Sequence, residues 1–77
     1  MKNLTELYKG QLWKARKTIN AATDYGKAIH VKPGTLILVL EVLGDEKTEL
    51  IKALYKDTVI YMEEDIGHSF KLITDEI

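Results

Sequence analysis

A chain of 77 residues without cysteine has room for one domain, and neither disulfides nor a thiolate zinc cluster can add stability. Hydrophobic residues at 45% and charged residues at 30% exclude a disordered chain and call for a packed core. The net charge of −1 hides a division, because residues 1–32 carry seven basic side chains against two acidic ones and residues 33–77 carry four against ten. That asymmetry either marks a basic binding face or is neutralised when the two halves interleave in one barrel.

The opening MKNLTELYKG lacks the apolar centre of a signal peptide. The longest apolar run falls far short of the ~20 residues of a membrane helix. A cytoplasmic domain with no membrane contact is expected. Next, GQLWKARKTIN (Gly10 to Asn20) alternates, with Trp13, Ala15 and Ile19 on one side and Lys14, Arg16 and Thr18 on the other, as a half-exposed strand does. AATDYGKA follows as a loop with Asp24 and Gly26 as turn formers, and IHVKPGT runs extended into a Pro33-Gly34 turn.

Residues 36–43 form a second strand of unusual composition, since Glu41 is its only polar side chain. GDEK closes it as a turn, and TELIKALY, a tight KD turn, TVIYM, the turn-like EEDIGHS, a last strand FKLI and a fraying TDEI complete the chain. Two segments also fit helices. DEKTELIKALYK spaces Leu50, Ile51, Leu54 and Tyr55 helically behind Asp45 as a cap, and LTELYKGQLWKARKTI puts Leu4, Leu7, Tyr8, Leu12, Ala15 and Ile19 on one stripe. Local pattern leaves strand and helix nearly balanced.

This order of segments resembles an SH3-like small β-barrel. GQLWKARKTI is similar to its first strand, NAATDYGKAIH to its long loop and VKPGT to its diverging turn. LILVLEVL, ELIKALY and TVIYM resemble the central meander, EEDIGHS the 3₁₀ turn and FKLI the closing strand. The resemblance implies an all-β fold, a five-stranded SH3-like small barrel over residues 10–73 with a short N-terminal extension, within a single domain of residues 1–77. The aromatic groove of proline-binding SH3 domains is missing apart from Tyr25, and so is the Gly-centred basic loop of KOW-type barrels. Size, Lys/Glu richness and the lack of enzymatic motifs also resemble small accessory proteins of tailed bacteriophages, which implies a host factor as target.

In such a barrel either Ile37 and Val39 or Leu36, Leu38 and Leu40 face the core. The outward row needs a cover, and Leu4, Leu7 and Tyr8 of residues 1–9 are expected to supply it as a lid, with a partner chain as the alternative. Monomer and weak homodimer both remain open.

Chemistry-bearing residues are sparse. His30 and His68 with Glu63, Glu64 and Asp65 lack zinc-type spacing, and EEDIG lacks the ligands of a calcium loop, so no metal and no cofactor are expected. Ser69 beside His68 has no Gly-rich elbow to build an oxyanion hole, and no enzyme is expected. Candidate binding residues are Lys14, Arg16 and Thr18 on the first strand with Tyr25 and Lys27 in the following loop. A non-enzymatic module that binds a protein partner is the first reading, with the basic face steering it to an acidic surface. The second is nucleic-acid binding, with phosphates on the lysines and bases stacked on Tyr25 and Trp13. A pI near 6.1 disfavours the second, and Trp13 otherwise belongs to the core.

Overall fold

The computed structural model describes residues 2–44 and 48–74. Its elements are β1 (Lys2–Asn3), α1 (Thr5–Tyr8), β2 (Leu12–Ala15), β3 (Ile19–Thr23), β4 (Ala28–Val31), β5 (Leu36–Gly44), β6 (Glu49–Tyr55), β7 (Thr58–Glu64), α2 (Ile66–Ser69) and β8 (Phe70–Thr74). The protein is all-β, a curled antiparallel sheet in the order β4-β3-β7-β6-β5-β2-β8, with β1 added beside β5. Eight strands form where five were expected. The extra ones come mainly from residues 20–30, read as a long loop but folded as most of the β3–β4 hairpin.

The hairpin forms because its turn is well specified. Thr23 N–H donates to Lys27 O at 2.9 Å, Lys27 N–H to Thr23 Oγ1 at 3.0 Å, and Gly26 takes a φ of 87°. Its flanks then bury Ile19, Ala21 and Val31. The first strand also ends early. A bend at Arg16–Lys17 separates β2 from β3, although Trp13, Ala15 and Ile19 are buried and Lys14, Arg16 and Thr18 exposed, as the alternation requires. Within the helix-compatible segments residues 49–55 are β6 and residues 12–15 are β2, and their one helical piece among the described residues is the single turn α1. The turn expected at GDEK and the frayed TDEI fall largely on residues 45–47 and 75–77, outside the described residues.

β5 resolves its own composition. Val39 pairs with Ala53 and Glu41 with Lys52, so Leu40 is an extra residue, a β-bulge. Before it the odd positions Ile37 and Val39 are fully buried, and after it the even positions Val42 and Gly44 are. A strand whose inward parity changes halfway cannot display one clean alternation. The core row is therefore Ile37, Val39 and Val42, joined by Ile51, Ala53, Ile60, Met62, Ile66 and Phe70.

Residues 2–9, the described part of the N-terminal segment, do not form the expected lid over the outward row. They run along the free edge of β5, where Lys2 pairs with Gly44 and Asn3 with Leu43. α1 then loops out at the bulge. There Leu4 N–H donates to Val42 O at 2.7 Å, Val42 N–H to Thr5 Oγ1 at 3.1 Å and Gly10 N–H to Val39 O at 2.9 Å. Leu4 and Tyr8 pack against the core cluster, and Leu7 is 65% exposed. A Cβ on Gly44 would meet the end of the Leu4 side chain, which would have to shift to admit it.

Val39→Ala and Ile51→Ala are each expected to lower stability by about 2–4 kcal/mol, and Leu38→Ala on the opposite face by about 1 kcal/mol or less. Equal losses at all three positions in urea titrations would contradict this register. Removing residues 1–9 is expected to lower the melting temperature, because β5 loses the partners of Val42, Leu43 and Gly44 along one edge.

Candidate functional site

The outer face of the sheet is built from the side chains that alternate with the core. Leu12, Leu38, Leu54 and Val59 stand opposite one another across β2, β5, β6 and β7. Leu43 faces Leu50, and Lys52 lies between Glu41 and Tyr61, with Ala22 beyond on β3. The apolar members are all half-buried, and apart from isolated contacts β6 meets only its sheet neighbours β5 and β7. No second layer lies over this face among the described residues. On the β3 side, where β3 and β7 pair only at Ala22–Thr23 with Tyr61–Ile60, a shallow cleft opens, lined by Asn20, Leu50, Tyr61 and Glu63 among others.

One corner of this face is basic. Lys14 of β2 lies directly opposite Lys71 of β8, with Leu36 on its other side. Like charges in register across two strands repel. Arg16 follows at the end of β2, where its Nε donates to Phe70 O at 3.0 Å and anchors the guanidinium beside β8. Lys17 reaches Glu64 at 3.8 Å from an exposed position, a screened pair of little energetic weight. Thr18 is exposed on the bend before β3. Tyr25, 75% exposed, and Lys27 lie at the hairpin tip, about 13 Å of extended strand beyond Ile19. The five candidate residues thus divide into a basic group at the base of the hairpin and an aromatic-cationic pair at its tip. Lys71 was not among them, because its position opposite Lys14 follows from strand register and from nothing in FKLI itself.

Trp13 is 8% exposed and cannot stack on a base. Its Nε1 donates to Gln11 Oε1 at 3.0 Å, and its ring meets Tyr8 at 6.1 Å between centroids. His30 Nδ1 lies 3.0 Å from Asn20 Oδ1 on the hairpin, whereas His68 sits on α2, so the two histidines occupy separate elements. Among the described residues no group of three or more His, Asp or Glu side chains could hold a metal ion. Ser69 is buried and donates to Glu64 Oε1 at 2.6 Å, which ties its hydroxyl to the end of β7. Glu49 accepts from Ile66 N–H at 2.9 Å and Asp65 caps α2 through His68 N–H.

No helix among the described residues is long and apolar enough to cross a membrane. No protein-family model matches the chain, and no curated protein or solved structure matches it. The class is therefore defined by the fold alone, an all-β protein with a curled antiparallel sheet.

Burial first, then the charges of Glu49 and Asp65, push the Tyr8 hydroxyl above the ordinary tyrosine range. The folded state then keeps this proton while the unfolded chain loses it near pH 10. Stability from this group is complete below that pH and declines as pH rises through the folded value. The loss of melting temperature above pH 10 is expected to be smaller in Tyr8→Phe than in the parent.

Proposed function

We propose that this protein is a non-enzymatic interaction module that binds a protein partner through the outer face of its sheet. The observation that carries the reading is the file of Leu12, Leu38, Leu54 and Val59 across four strands, with no layer over it among the described residues. Such a face, rimmed by Lys14, Lys71, Glu41 and Glu63, has an apolar centre to bury and charged margins to orient a partner. The basic corner steers the encounter towards an acidic surface.

An SH3-like identity for the fold is part of this proposal. Its support is the arrangement in which β2 lies between β5 and the last strand β8, a hairpin excursion separates β2 from β5, β5 to β7 form a meander, and a helical turn precedes β8. The partner mode differs from proline recognition, since Tyr25 stands alone at a hairpin tip. A role in the cytoplasm as a bacteriophage accessory protein acting on a host factor rests on the resemblance in size and composition. Nucleic-acid binding is the second reading, favoured by the Lys14–Lys71 pair with Arg16 nearby.

In a pull-down with the intact chain, a specific protein band is expected to survive nuclease treatment. Leu54→Glu, checked for an unchanged melting curve, is expected to lose at least about tenfold in affinity for that band. Recovery that disappears with nuclease, and with Lys14→Glu instead of Leu54→Glu, would give the second reading the advantage.

A further inference from the structure

We infer that the open edge of β8 is a docking site for an extended acidic peptide segment, which adds to the sheet as a further strand. The inference rests on the interaction module proposed above and names a partner chemistry for it, at the β8 edge that borders the basic corner of the outer face.

β8 ends the sheet and has one strand neighbour, β2. Arg16 N–H donates to Ser69 O at 2.9 Å, and Ala15 pairs with Phe70, Lys14 with Lys71 and Trp13 with Leu72. In an antiparallel ladder the bonds to one neighbour come from alternate residues. Ser69 O and the backbone groups of Lys71 therefore face β2, while Ser69 N–H donates to Asp65 O, and Phe70 and Leu72 turn their groups away. Phe70 is already satisfied, its N–H on Ile66 O and its carbonyl on Arg16 Nε. Leu72 has no partner for its outward N–H and C=O among the described residues, and it presents them at the sheet edge.

Side chains around this edge favour an occupant of one kind. Leu72 and Ile73 on β8 are 38% and 45% exposed, and Leu36 on β5, across β2 from this edge, is 46% exposed. Lys14 and Lys71 stand in repulsive register in the outer row with Leu36, Leu72 lies beside Trp13 on the opposite face, and Arg16 uses its Nε on Phe70 O. A lysine on a strand edge commonly serves to block association of identical chains. Here two lysines and an anchored arginine face one edge with no carboxylate among their described partners, so a negatively charged strand is admitted and a positive one refused. Carboxylates on alternate residues of the added strand would relieve the Lys14–Lys71 repulsion, while its backbone pairs with Leu72.

The test uses the intact, ¹⁵N-labelled protein and three capped octapeptides: alternating Glu and Val, the same peptide N-methylated at alternate residues, and alternating Lys and Val. The Glu peptide is expected to shift the Leu72 and Lys71 amide resonances saturably, and both other peptides to leave them unmoved. Lys71→Glu removes the like-charge pair, so it is expected to raise the melting temperature while weakening the Glu peptide about tenfold or more, a combination that a purely structural role would not give. Equal binding of the N-methylated peptide would overturn strand addition, because charge attraction alone would then explain it. Unmoved Leu72 at millimolar Glu peptide would overturn the inference outright. A partner captured in the pull-down and released by Leu54→Glu would still uphold the module reading in either case, so the two failures are distinguishable.

Discussion

The extra residue in β5 is the constraint on which the rest of the structure depends. β5 must hold β6 along one side while its other side serves β2 at one end and β1 at the other. A regular strand would carry the same parity throughout and would put Leu40, Val42 and Gly44 on the side opposite Ile37 and Val39. The bulge at Leu40 reverses that parity and adds local twist, which lets a nine-residue strand bend around one core. It also opens the edge opposite β6, where the Thr5 hydroxyl and the loop through α1 satisfy the backbone that no strand reaches.

Several features follow from that bend. Gly44 turns inward and leaves the space that the Leu4 side chain fills, so the N-terminal segment closes the end of the core. Tyr8 meets Trp13 there, in the field of Glu49 and Asp65. Because residues 2–9 run along the edge and send Leu4 and Tyr8 to the core, they do not cover the outer leucines. Among the described residues the outer face stays single-layered, which is the opening that the proposed binding role would use.

The chemistry of the surface divides along the strand order. β2 and β8, at one end, bring Lys14, Arg16 and Lys71 together, while Glu49, Glu63, Glu64 and Asp65 lie on β6, on β7 and at the start of α2. The basic N-terminal half and the acidic C-terminal half do interleave, but only in part. Lys17 meets Glu64, whereas Lys14 is placed against another lysine brought in from the end of the chain. A basic corner thus survives folding in a chain with nearly balanced charge.

The all-β class, the turns at Pro33-Gly34 and at Asp24 to Gly26, and the inward side of Trp13, Ala15 and Ile19 were legible in the sequence. Each depends on local stereochemistry or on a period of two within a few residues. The choice of strand over helix at residues 49–55 was not local, since those residues fit both patterns and only pairing with β5 and β7 decides between them. The bulge at Leu40 was hidden for a related reason. In a run of leucines and valines an inserted residue leaves no polar mark, and only a neighbouring strand supplies the register that reveals it. The hairpin over residues 19–31 gained its strand character from burial of Ile19, Ala21 and Val31 in a core made by distant segments. Lys71 joined Lys14 by the same logic, because cross-strand proximity is a property of the sheet and is written in neither segment alone.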